Sequence, residues 1–162
     1  MRIHLGSDHA GFELKEHLRQ VLASRDVLVV DHGPRSYQPE DDYPTYCLRV
    51  AEGVAADREA GEPSLGIVLG GSGNGEQLAA NRVRGIRAAL VWSEQTAQLA
   101  RAHNDANVIA IGARMHTVEY ASELVEIFLG TPFSADPRHQ RRLAMLADYE
   151  RDGVLPPLLG QR

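Results

Sequence analysis

The sequence predicts a doubly wound α/β domain, a parallel sheet of about five strands with helices on both faces. Three observations lead there: short apolar runs alternate with segments of helical periodicity, the intervening helices run to 10 residues or more, and several of the runs are apolar on both faces. In chain order, RIHLG at 2–6 is the first strand, and Leu14, Leu18, Val21 and Leu22 recur at helical spacing behind it. DVLVVDHG at 26–33 is a β-branched run closed by glycine. The turn-rich PRSYQPEDDYP leads into a helix that ends near residue 60, and LGIVLG at 65–70 is the third strand. EQLAANRV is helical, RAALVW at 87–92 is a strand, and SEQTAQLARAHND opens with a serine suited to cap a helix. NVIAIG at 107–112 makes the fifth strand, and helices follow from about Thr117 to Leu129 and from about Pro137 to Arg151. Residues 1–152 read as one domain and 153–162 as a tail.

Composition narrows the function. A chain of 162 residues, 43% of them hydrophobic, suits a single core. A formal charge of −5 lacks the basic footprint that nucleic acid requires. No apolar run approaches the roughly 18 residues of a membrane span, and MRIHLGSDHA lacks a secretory apolar core. The lone Cys47 can form neither an internal disulfide nor a zinc cluster, which fits a reducing cytoplasm, and it reads as a small buried apolar residue.

In a doubly wound sheet ligands bind beyond the carboxyl ends of the strands, so the loops there carry the chemistry. Strand 1 ends in Ser7-Asp8-His9, strand 3 opens into GGSGNGEQ, and the fourth helix ends in His103-Asn104. Gly71, Gly73 and Gly75 permit left-handed backbone and close approach, and the following helix aims its free N–H groups at one point, where an anion or developing oxyanion is stabilised. No Gly-Lys-Ser/Thr follows and G-x-G-x-x-G is not matched, although Glu94 stands about 20 residues on and keeps a dinucleotide reading open. Glu76 falls in the first helical turn, where the dipole lowers a carboxyl pKa unless burial opposes it. Beside an oxyanion cradle it is placed to take a proton from carbon next to a carbonyl, with Ser72 either relaying a proton or capping the helix.

In ADPRHQRRLAML, Asp136 and Pro137 form an N-cap and first-turn pair, so Arg138, His139, Arg141 and Arg142 crowd the positive end of a helix. A bound phosphate relieves that repulsion, and Arg138 and Arg142, four apart, share a face; a solvated basic face is the other reading. Arg114 either joins this clamp or faces solvent. His103, at a helix C-terminus, is an acid/base or only a cap. His4, His17, His32 and His116 read as structural or surface residues.

Taken together, GSDHAGFELK, DDYP, GIVLGGSGNGEQLAANRVRGIRAAL, the HN at 103–104, IGAR at 111–114 and RHQRR resemble the ribose-5-phosphate isomerase type B family, in order and spacing, from about residue 1 to 150. The resemblance implies a Rossmann-like fold, no metal or nucleotide cofactor, interconversion of D-ribose 5-phosphate and D-ribulose 5-phosphate, and a homodimer whose active sites draw on both subunits. It implies that the amides of Gly71, Gly73, Asn74 and Gly75 hold the enediolate, and that Ser72, where many relatives have threonine, shuttles a proton. It further implies that His103 and Asp8 open the furanose ring, that His9, Arg138 and Arg142, with Arg114 of the facing subunit, hold the phosphate, and that Asn104 contacts sugar oxygens. Many relatives carry a cysteine base at the position of Gly70; this sequence resembles the subgroup, typical of actinobacteria, in which the base is the glutamate, here Glu76. Isomerases of galactose 6-phosphate or four-carbon sugar phosphates share the fold and much of the loop, and a non-catalytic sugar-phosphate sensor is the reading of a different class.

Overall fold

The computed structural model describes residues 1–158 and 160; the last part of the expected tail, residues 159, 161 and 162, lies outside the described residues. Five strands form one parallel sheet in the order β2-β1-β3-β5-β4, with β1 at Arg2–Ser7, β2 at Leu28–Asp31, β3 at Ser64–Gly70, β4 at Ala88–Leu90 and β5 at Val108–Gly112. The helices are α1 (Phe12–Ala23), α2 (Tyr43–Glu59), α3 (Asn74–Ala80), α4 (Glu94–Asn104), α5 (Val118–Gly130) and α6 (Pro137–Asp152), with a short 3₁₀ turn over His9–Gly11. The alternation expected from the sequence is therefore present, with the fold of a doubly wound α/β domain.

Two cores explain the order. On one face Leu14, Leu18 and Leu22 of α1, Ala97 and Ala100 of α4 and Leu124, Val125 and Phe128 of α5 pack against Ile3, Leu5, Ile67, Leu69, Ile109 and Ile111. On the other, Cys47, Val50, Ala51 and Val54 of α2 and Ala79 and Ala80 of α3 pack against Val68, Val108 and Ala110. Strand β3 is buried along its whole length, as its continuous apolar run requires, whereas β2 and β4 lie at the sheet edges, each with a strand on one side only, and are shorter than their apolar runs suggest. The chain leaves β1 toward β2 through α1 on one face, and leaves β3 toward β4 through α3 on the other. The crevice at the carboxyl ends of β1 and β3 is thus a topological switch point, where such sheets bind ligands.

Ser93 caps α4 in a capping box with Thr96, and the Asp136 carboxylate accepts from the Arg138 N–H at 2.8 Å at the start of α6. α6 is unlike the other helices: of its 16 residues only His139 is buried.

Candidate active site

At the switch point β1 delivers Asp8 and His9, and β3 delivers the Gly-rich turn. The Asp8 carboxylate accepts from the N–H groups of Ala10 and Gly11 at 2.9 and 3.2 Å, which fixes the turn after β1. The turn after β3 is held from the other side by β5, whose continuation donates from Ala113 N–H to the Gly70 carbonyl at 2.7 Å and from Arg114 N–H to the Gly71 carbonyl at 3.2 Å. Gly73 has φ +82°, a left-handed conformation that starts α3 and that a side chain would strain, and a Cβ there would also meet Leu90 at 2.6 Å. Gly75 lies against the Tyr43 ring, where a Cβ would stand 2.7 Å from Cζ. Ser72 is exposed and accepts from Asn74 Nδ2 at 3.3 Å.

Glu76 turns inward. The residue is 4% exposed, and its Oε2 has no hydrogen-bond partner among the described residues. Burial pushes its carboxyl pKa above the ordinary value, with Asp8 adding to the effect, while the backbone N–H groups of Glu76 itself and Gly73 pull the other way without prevailing. The sequence left the contest between helix dipole and burial open; burial wins. The carboxylate fills the space that a side chain on residue 70 would take: a Cβ on Gly70 would overlap Oε1 and Cδ and lie 2.9 Å from Cγ. Cys47 is buried nearby, and burial, then the Glu76 and Asp8 charges, push its thiol far above the usual thiol range. It is a packing residue, as its sequence context suggests.

Arg114 reaches the same turn, its guanidinium 3.6 Å from where a Gly71 Cβ would sit, a position that Ala10 also approaches. Asp8, His9, Gly71, Ser72, Gly73, Asn74, Gly75, Glu76 and Arg114 are therefore neighbours within one chain. This differs from the expected partition, in which Arg114 came from the facing subunit.

His103 and Asn104 lie elsewhere. α4 starts beyond the carboxyl end of β4 and runs back antiparallel to it, so its last residues come out at the amino ends of β4 and β5. The Asn104 carbonyl accordingly accepts from Arg87 Nε at 3.0 Å, just before β4 begins. The five residues of β5, about 16 Å at 3.3 Å each, separate this end from the Gly-rich turn. α6 joins His103: the His139 ring packs against the His103 ring with centroids 4.1 Å apart and planes tilted by 39°, and meets Ser134 Oγ at 3.0 Å. The His139 pKa is lowered, by desolvation first and by His103 second. Arg138 and Arg142 ride on the first two turns of α6 beyond this contact. His103, Asn104, Arg138 and Arg142 thus form a second cluster, and reading all polar loops as one site does not hold within a single chain.

The described residues hold two contributors that the sequence did not single out for this site. His139 reads in sequence as one more polar residue in a basic run, but it is the residue of α6 that is buried, against His103. Asp41, from the irregular segment before α2, contacts His9; nothing in its local pattern announces that partner. Among the described residues no group of three His, Cys, Asp or Glu is placed to hold a metal ion, and no helix is long and apolar enough to cross a membrane.

The comparison with known proteins covers nearly the whole chain. The sequence model described as Ribose/Galactose Isomerase matches residues 3–146. Ribose-5-phosphate isomerase B of Mycolicibacterium paratuberculosis is 54% identical over 160 residues, covering 99% of this chain and 98% of that protein. The crystal structure of ribose-5-phosphate isomerase B from Mycoplasma genitalium with bound ribulose 5-phosphate superposes with a TM-score of 0.87 at 38% identity, covering 93% of this chain and 97% of the other. The Clostridium thermocellum ribose-5-phosphate isomerase B structure gives 0.86 at 37% identity, covering 95% and 100%.

Proposed function

Because the chain belongs to the ribose/galactose isomerase family, we propose that it interconverts D-ribose 5-phosphate and D-ribulose 5-phosphate through a cis-enediolate, with Glu76 as the base. The observation that carries this reading is the Glu76 carboxylate, buried, raised in basicity and without a partner on Oε2 among the described residues, beside the bare turn of Gly71–Gly75. Glu76 takes the proton from carbon 2, and the electron pair left behind forms the double bond between carbons 1 and 2 as the charge moves to the carbonyl oxygen. The amides of the turn hold that oxygen. Ser72 relays the hydroxyl proton from oxygen 2 to oxygen 1, and Glu76 returns its proton to carbon 1. No atom is gained or lost.

In this reading the molecule works as a homodimer in the cytoplasm. Support comes from the surface that one chain leaves uncovered. α6 buries a single residue; Leu78, Trp92, Met115 and Leu146 are exposed; and a groove of about 570 Å³ runs between α3, the edge of β4 and α6, lined by Gln77, Leu90, Leu143 and Leu146 among others. A second copy covers this face and brings its own His103, Asn104, Arg138 and Arg142 to the Glu76 cluster. There His103, with Asp8 opposite, opens the furanose ring, Asn104 contacts sugar oxygens, and the two arginines join His9 and Arg114 on the phosphate.

The deciding measurement is proton NMR of D-ribose 5-phosphate with the protein and a chelator in D2O. Appearance of the ketose together with deuterium at carbon 2 of recovered aldose is the expected result; reaction only of six- or four-carbon sugar phosphates would correct the substrate, and no reaction at all would favour a sensor. Mixing subunits tests the shared site. Glu76→Gln and His103→Ala homodimers are each expected to be nearly inactive, but random exchange makes half the dimers mixed, each with one intact site, restoring about a quarter of wild-type turnover. No recovery after confirmed exchange would place both residues in the site of a single chain.

A further inference from the structure

The β2–α2 segment, residues 32–42, has almost no regular structure, yet one of its side chains is tightly held. The Asp41 Oδ1 atom accepts from the backbone N–H of His9 at 2.8 Å and from His9 Nδ1 at 2.9 Å. The Asp41 side chain is only 9% exposed, and its second oxygen is buried and hydrogen-bonded to nothing among the described residues. Tyr46 also feels this carboxylate: its phenol pKa is raised by burial first and by Asp41 after it. On the other side of the pair the Tyr37 ring stands edge-on to His9 with centroids 6.4 Å apart. Asp8 precedes His9 in the chain, and Ala10 and Arg114 both lie against Gly71. The segment itself is pinned at its start, where Asp31 accepts from Gly33 N–H at 2.9 Å and from the fully buried Lys15 at 2.9 Å.

We propose that Asp41 is a positioning residue for the phosphate end of the site, acting through His9; this rests on the reading above that His9 binds the substrate phosphate. A carboxylate can only accept, so the Nδ1 of His9 carries a proton and Nε2 is the only ring nitrogen left free. For Nε2 to donate to a phosphate oxygen it needs a proton too. The phosphate-bound imidazole is therefore a cation, and the Asp41 carboxylate is its counter-charge. Asp41 thus sets both the direction and the charge with which His9 meets the phosphate, and its backbone bond to His9 holds the turn in register with the Asp8 cap.

The test uses Asp41→Asn, which keeps the shape and one acceptor without the charge, and Asp41→Ala, which removes both. In two-bond ¹H–¹⁵N spectra the wild-type His9 is expected to carry its proton on Nδ1, and in Asp41→Ala to revert to the Nε2–H tautomer. KM for ribose 5-phosphate and the dissociation constant for inorganic phosphate are both expected to rise about tenfold in Asp41→Ala, and by less in Asp41→Asn, while kcat changes less than threefold. A wild-type His9 protonated only on Nε2, or phosphate affinity unchanged in Asp41→Ala, overturns the proposal. If phosphate affinity falls as expected but the wild-type protein turns over no ribose 5-phosphate, Asp41 keeps its role and the isomerase reading is the one that fails.

Discussion

Gly70→Ala is expected to fold normally and to lose about 10²–10⁴-fold in kcat, the range that a positioned general base contributes. The reason is spatial. A Cβ on residue 70 overlaps Oε1 and Cδ of Glu76, but those atoms end a flexible side chain, so the conflict is resolved by moving the carboxylate and not by moving β3. The backbone of β3 is meanwhile held on both sides, by β1 and by β5, with Gly70 paired to Gly112. What suffers is the alignment of the base with the oxyanion cradle, and errors of about 1 Å there cost orders of magnitude in rate. Gly70→Cys sharpens the test by introducing a thiol where the resemblance led one to look for it. Activity of this variant above that of Gly70→Ala is carried by the thiol and is expected to vanish on treatment with iodoacetamide. The wild-type protein is expected to resist the same reagent, since its single cysteine, Cys47, is buried and its thiol is held strongly protonated. A fully active Gly70→Ala would mean that the Glu76 carboxylate does its work from another position, or does none.

This steric exclusion also marks the limit of what the sequence reveals. Alternation of strands and helices is legible because burial imposes periodicity locally: LGIVLG reads as a doubly covered strand and is one. Caps are legible for the same reason, as Ser93 and Asp136 demonstrate. The end of the sheet at which a residue emerges is a property of topology. His103 stands in the last turn of a helix that started at a strand's carboxyl end, so it must emerge at the amino ends, away from the switch-point cluster. Through-space relations are less accessible still. Nothing in GGSGNGE states that the side chain of residue 76 folds back over residue 70, and nothing in PRSYQPEDD announces that Asp41 will meet the His9 ring.

Glu76→Gln separates catalysis from stability, because the two are expected to move in opposite directions. The amide cannot accept a proton from carbon, so kcat is expected to fall by about 10³-fold or more, whereas KM changes little because the phosphate contacts are made elsewhere. Stability should rise at neutral pH. In the wild-type protein the folded-state carboxyl has a pKa raised above its ordinary value of 4.5, chiefly by burial, so the folded state favours the protonated form. The contribution of this group is therefore fully present below about pH 4.5 and is lost as pH rises through the raised folded value. Above that value the protein keeps an ionised carboxylate in a site where Oε2 has no partner among the described residues. Glutamine occupies the same volume without the charge; its oxygen can still accept from the backbone at Gly73, and an unpartnered amide costs less than an unpartnered anion. Melting curves of the two proteins should then diverge upward with pH, Glu76→Gln being the more stable at pH 7, and converge in acid. The same raised pKa predicts that the acid limb of wild-type kcat/KM lies above pH 4.5, since the base must be ionised to act. A variant that is both inactive and less stable at every pH would show that the carboxylate holds the Gly-rich turn together, and the loss of activity would then say nothing about proton transfer.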